Sequence, residues 1–188
     1  MFATVGLASE LSYTHRRGNP VQRAMQAFGS TRVGAWFFSK TLAPIDRLLH
    51  RATNGRTTLP AVLAGLPVIM VTTTGRKSGL ARTTPLISVP IGDDLTLLGT
   101  NFGQTSTPAW VFNLEADPHA TVEFRGAERS VVARPASDAE RTQVWATSAG
   151  VYGGYEKYQQ RIHGREVRIF LLEPADPTGP RPADPSTH

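Results

Sequence analysis

Within this 188-residue chain, Thr72-Thr73-Thr74-Gly75-Arg76-Lys77-Ser78-Gly79 followed by Arg82-Thr83-Thr84-Pro85-Leu86 is the segment best equipped for chemistry. Two glycines permit a tight turn whose backbone amides face outward. Arg76, Lys77 and Arg82 add three cations within seven positions, and no Asp or Glu occurs from 61 to 92. Such a turn suits phosphate or several carboxylates; a solvated hairpin tip carrying basic residues fits the same pattern. A second constellation is Tyr152, Tyr155 and Tyr158. Spacing of three places them on one helical face, either as packed core or as the wall of a site.

Several chemistries find no residues to carry them. The chain has no cysteine, which removes disulfides, thiolate metal sites and thiol nucleophiles. The histidines at 15, 50, 119, 163 and 188 lack ligand spacing, and His119 and His163 read as surface residues. No GxGxxG or GxSxG occurs. The Lys77-Ser78 pair lacks the upstream glycine of a phosphate loop. A bound organic cofactor is then the natural carrier of redox work.

The elements that must position these residues read as follows. LPVIMVTTT (66–74) and TTPLISVPI (83–91) are strands about the Gly75–Gly79 turn, and Gly92-Asp93-Asp94 turns into LTLLGTN (95–101). Thr107-Pro108 opens a short helix, 108–116, that stops before Asp117-Pro118. ATVEF and SVVARP form a hairpin about Arg125–Glu128. Ser137-Asp138-Ala139-Glu140 is a capping box starting a helix to about Ser148. A helical stretch over 152–162 precedes a last strand at 166–174. There is no internal repeat, and without βαβ alternation the pattern predicts a mostly antiparallel α+β barrel.

Around this domain, 61–174, residues 1–18 are expected to be disordered, 19–60 to form a helical leader, and the tail 175–188 to be disordered. In the leader, Val21, Met25 and Phe28 start a helical pattern that runs through Trp36, Ile45 and Leu49 to Asn54-Gly55. Residues 20–54 would cover the barrel or lie on an anionic membrane. Net charge is +5, but residues 1–88 hold 11 Lys/Arg against 2 Asp/Glu, while 89–188 hold 9 against 13. That asymmetry favours a local anion site over nucleic-acid binding. No apolar run reaches membrane-spanning length, and the start MFATVGLASE lacks a basic n-region, so the expected location is the cytoplasm.

TTTGRKSG with RTTPLI, then LLGTNFGQ, PAWVFNL with DP, and VYGGYEKYQ, in this order and spacing, resemble the deazaflavin (coenzyme F420)-dependent nitroreductase and quinone reductase family. The likeness runs from Pro67 to Pro174. It implies a split β-barrel related to flavin-nucleotide-binding barrels, behind an N-terminal helical extension, and a coenzyme with a deazaflavin ring, a phosphate and an oligoglutamate tail. It further implies that Arg76, Lys77 and Ser78 hold the phosphate and tail. Arg82, Thr83, Thr84, Pro85, Leu86 and Ile87 would follow the ribityl chain and ring, and Leu98, Gly99, Thr100 and Asn101 would approach the ring. Ala109, Trp110, Val111, Phe112 and Asn113 would border the phosphate. Tyr152, Tyr155 and Tyr158 would wall the acceptor pocket, Tyr155 also beside the ring, with Thr100 where well-known members have serine.

The implied reaction passes hydride from reduced deazaflavin to a small-molecule acceptor: a quinone, nitroaromatic or activated alkene. The competing expectations are flavin mononucleotide (FMN) in the same barrel, or a non-catalytic cofactor carrier or peripheral membrane protein. Assembly is expected as a monomer or homodimer, without nucleic acid.

Overall fold

β-Branched and apolar residues at every second position produce strands that bury one face or both, and six such strands close on themselves here. The computed structural model describes residues 6–14, 31, 66, 68–162 and 164–175. The strands are β1 (Val68–Thr74), β2 (Ala81–Ile91), β3 (Asp94–Leu98), β4 (His119–Phe124), β5 (Ala127–Pro135) and β6 (Ile169–Pro174). They form a closed barrel in the order β1-β2-β3-β6-β5-β4, every pairing antiparallel. The described helices are α1 (Leu7–Glu10), α2 (Ala109–Ala116), α3 (Asp138–Val151) and α4 (Gly154–Arg161). None is long and apolar enough to cross a membrane.

Strand β2 organises the barrel. Its first part pairs with β1, Ala81 opposite Thr74 through Ile87 opposite Val68, and its last four residues pair with β3. The period of two sorts side chains into two cores. Ile69, Val71, Leu95, Leu97, Val122 and Leu172 fill the barrel. Val89, Leu98, Ile169 and Leu171 face outward and are covered by α3 and α4 through Val144, Val151 and the three tyrosines. Two-residue turns at Gly92-Asp93 and Arg125-Gly126 close hairpins, with positive φ at Gly92, Arg125 and Gly126.

The capping box forms as expected: Ser137 Oγ accepts from the Glu140 amide, and Glu140 accepts from the Ser137 amide at 2.8 Å. Arg134 then bridges Glu140 and Glu173 at 2.7 and 2.6 Å. The guanidinium first, then the Ser137 amide and hydroxyl, holds the Glu140 carboxyl down at about 2.

Four expectations need correction. Residues 6–14, expected to be disordered, are in place. Leu7 and Leu11, four apart, are buried in the barrel core. Asp93 in the β2–β3 turn accepts from the Gly6 and Ser9 amides at 2.7 and 3.0 Å, capping α1 from far along the chain. The helix after Thr107 has Pro108 as its N-cap, with no side-chain hydrogen bond there. The helix expected over 152–162 begins at Gly154, because α3 runs on to Val151 and leaves Tyr152 as its C-cap. The last strand begins at Ile169, after Glu166 and Arg168 turn outward into ion pairs with Arg141 and Glu115. The helical leader but for Thr31, and all of the tail but Ala175, lie outside the described residues.

Candidate active site

The basic turn is built at one end of the barrel by backbone hydrogen bonds within it. Gly75 N–H donates to Leu80 O at 2.8 Å, and the amides of Ser78 and Gly79 donate to Gly75 O. Gly75 has no room for a side chain: a Cβ would lie 2.8 Å from Ser78 Oγ and 3.0 Å from Leu80 O. Arg76, Lys77, Ser78 and Arg82 are exposed. Among the described residues, no carboxylate forms an ion pair with Arg76, Lys77 or Arg82. This contrasts with Arg129, Arg134, Arg141 and Arg168, each matched to a Glu. Three cations without acidic partners, on a turn rich in amides, fit a polyanionic ligand.

Helix α2 braces this turn. Asn113, 7% exposed, accepts from the Arg76 amide at 3.1 Å and donates to Thr73 Oγ1 at 3.0 Å. Thr73 in turn donates to Arg82 O at 3.4 Å. The Arg76 guanidinium lies over the Phe112 ring, 4.4 Å from its centroid. The carboxamide of Asn113 is thus engaged on both sides, so it positions the turn. Trp110 and Val111 point into the barrel core, Trp110 edge-on to Phe170. Ala109 is exposed and Phe112 half-buried.

From Arg82 to Ile87, β2 advances five residues, roughly 17 Å at strand rise. Thr72 and Thr83 share a 2.8 Å hydrogen bond across β1 and β2. Thr84, Pro85 and Ile87 are half-buried along the strand, while Leu86 packs against the barrel core. At the far end of this track stand the tyrosines. Their ring centroids lie 5.6, 5.9 and 6.4 Å apart, all edge-to-face. Tyr155 Oη donates to Ile87 O at 3.2 Å, and Tyr152 and Tyr158 share a hydroxyl–hydroxyl bond of 3.1 Å. The trio converges although Tyr152 is outside α4: Gly154 lets its ring fold back, since a Cβ there would collide with it. Burial pushes all three hydroxyls up from their ordinary value. They remain protonated near neutrality and serve as hydrogen-bond donors.

Between β3 and α2, Leu98, Gly99 and Thr100 are buried, and Asn101 donates through its amide to Ser106 O and Oγ at 3.0 Å. Gly99 is required by close packing: a Cβ would lie 2.9 Å from Val111 Cγ2. Arg165 was not anticipated. Its guanidinium donates to Gly99 O, Thr100 O and Gln104 O at 3.0 to 3.1 Å, and no sequence motif marks it. Tyr13 was missed too. Its hydroxyl donates to Ser88 O at 2.6 Å, next to the carbonyl that Tyr155 uses.

A closed antiparallel barrel, with a basic turn at one end of a strand and an aromatic cluster toward the other, is a split-barrel arrangement. Residues 46–174 match the family model described as F420H(2)-dependent quinone reductase, and the chain belongs to that family. An F420H(2)-dependent quinone reductase of Mycobacterium tuberculosis is 28% identical over 127 residues, which cover 66% of this chain and 84% of the relative. A solved F420-H2 dependent reductase, FDR-A, aligns at 29% identity and TM-score 0.50, covering 57% of this chain and 94% of its own. A second solved relative, a domain-swapped dimer, aligns at 27% identity and TM-score 0.54, covering 69% and 96%.

Proposed function

We propose that this protein binds reduced coenzyme F420 along β2 and reduces a quinone, with the polyanionic tail on the basic turn and the acceptor beside the tyrosines. The observation that carries the reading is the set of three cations, Arg76, Lys77 and Arg82, that no described carboxylate pairs with. They stand on the turn before β2 and at its first residues, and the tyrosine cluster meets the same strand at Ile87. The relatives' coenzyme, with its phosphate and glutamates, supplies the negative charge this turn calls for. FMN draws no support from the family or the relatives.

The bound coenzyme supplies hydride. The chain's own residues bind, orient and donate. Arg76, Lys77, Ser78 and Arg82 anchor the anion, and the backbone from Thr83 to Ile87 guides the elongated ligand toward the buried ends of β3 and β6. Leu98, Gly99 and Thr100 close the site from β3, and Ala109 and Phe112 border the turn from α2. Holding donor and acceptor in contact supplies most of the acceleration.

Reduction of a quinone to hydroquinone takes one hydride and one proton. The hydroxyls of Tyr152 and Tyr158 share a hydrogen bond of 3.1 Å, and in this reading the pair orients the acceptor oxygen. With pKa values raised by burial, these groups are weak acids; their part is to hydrogen-bond the charge developing on the acceptor, with water as final proton source. Nitroaromatics and activated alkenes share the planar, electron-poor character of quinones and extend the acceptor range. The protein works as a monomer or homodimer, in the cytoplasm.

Anaerobic titration of the full chain with the coenzyme, followed by menadione, tests this. Lys77→Ala is expected to weaken coenzyme binding by roughly fivefold or more, the value of one charge-assisted contact. An unchanged dissociation constant would take Lys77 out of the anion site, and a wild-type chain that binds no coenzyme would refute the proposal.

A further inference from the structure

Phe102 is one of two large hydrophobic residues exposed among those described, at 36%. It also sits in a backbone conformation that disfavours it. Asn101, Phe102 and Gly103 have φ of 48°, 55° and 76°, three successive left-handed residues. Glycine takes this region freely, whereas a bulky side chain there is strained.

The surroundings hold that strain in place. Arg165 ties down the carbonyls on both sides of the tip, Gly99 and Thr100 before it and Gln104 after it. Asn101 closes the loop onto Ser106. Gly103 abuts α4, where a Cβ would lie 3.0 Å from Tyr158 Cδ1 and 3.3 Å from its Cα. The loop is therefore preformed, with Phe102 next to the residue that touches Tyr158. An aromatic residue 36% exposed thus sits on strained backbone, and strain of this kind concentrates at ligand-binding sites.

We propose that Phe102 is a specificity-determining residue whose ring meets the flat face of an aromatic acceptor bound beside the tyrosine cluster. Arg165 is the positioning residue that fixes the loop. This rests on the functional reading above and adds a selection rule: bicyclic aromatic acceptors are favoured over monocyclic ones.

The test compares Phe102→Gly, Phe102→Leu, Arg165→Lys and Arg165→Met in the full chain. Three quantities are measured: coenzyme affinity by fluorescence titration, menadione binding to chain loaded with oxidised coenzyme by equilibrium dialysis, and KM and kcat for menadione and benzoquinone. Phe102→Gly is expected to leave coenzyme affinity and kcat unchanged. It should raise the menadione dissociation constant and KM by roughly two- to tenfold, the worth of one aromatic pairing, with a smaller change for benzoquinone. Arg165→Met should likewise raise the menadione dissociation constant and KM, and Arg165→Lys should restore part of the loss.

Unaltered menadione binding and KM in Phe102→Gly, while wild type turns over, would overturn this inference alone. An equal loss of coenzyme affinity would also overturn it, by assigning Phe102 to the coenzyme. A wild type that binds no coenzyme would remove the functional reading as well.

Discussion

Replacing Asn113 by alanine should loosen the basic turn more than any change on its exposed face. The carboxamide is 7% exposed and joins two elements: it accepts from the Arg76 amide and donates to Thr73 Oγ1. Alanine removes both hydrogen bonds, each worth about 1 kcal/mol net, and leaves the buried Thr73 hydroxyl one partner short, which adds about 1–2 kcal/mol. The Arg76 amide lies nearer the surface and recovers part of its loss from water. The total is about 2–4 kcal/mol, and for a chain of this size each kcal/mol lowers Tm by roughly 2–4 °C. Calorimetry should therefore show a drop of roughly 4–16 °C, accompanied by weaker coenzyme binding because Arg76 is no longer held over Phe112. A Tm within a degree or so of wild type, with coenzyme affinity intact, would refute the assignment of Asn113 as the brace.

Other perturbations separate the remaining parts of the account. Tyr155→Phe removes the bond to Ile87 O and should lower turnover more than coenzyme affinity, read from kcat beside a binding titration; wild-type kinetics would leave Tyr155 a packing residue. Leu11→Ala deletes a side chain only 1% exposed in the barrel core and should cost about 2–4 kcal/mol in denaturant unfolding, whereas a disordered N-terminus would show no change. Glu140 is held down at about 2, so its ion pair with Arg134 stabilises the fold above the ordinary carboxylate range and is lost as pH falls toward that value. Because the pair is largely solvated, Glu140→Gln should cost about 1 kcal/mol or less at neutral pH. The difference from wild type should vanish at acid pH, and a difference independent of pH would argue against the ion pair.

The features legible in the sequence were those with local causes. The β-branched run at Val68–Thr74, the Gly92-Asp93 turn and the Ser137–Glu140 box each declare themselves within a few residues, and the hairpins follow from short links; the β1–β4, β3–β6 and β5–β6 pairings that close the barrel do not. The basic turn was legible because its cations stand in a stretch free of acids. What escaped depends on partners far along the chain. Asp93 caps α1 from the opposite end of β2, so residues 6–14 look unstructured when read alone. Arg165 reaches back more than sixty residues to the loop after β3. The bracing bonds of Asn113 to Thr73 and the Arg76 amide escaped because those partners lie about forty residues away in sequence. The tyrosine face was expected on one helix; close packing of Tyr152 over Gly154 instead gathers it from α4 and the C-cap of α3.

Under the proposed function, one ligand spans β2 from the basic turn to the tyrosine cluster and hands its electrons to a quinone there. Anaerobic mixing of the full chain, loaded with reduced coenzyme F420, with menadione tests it most directly, followed by the recovery of oxidised deazaflavin absorbance. Rapid, one-to-one conversion of menadione to its hydroquinone is expected, collapsing when Arg76, Lys77 and Arg82 are all replaced by alanine. Oxidation at the same rate in that triple variant, or none in the wild-type chain, would contradict it.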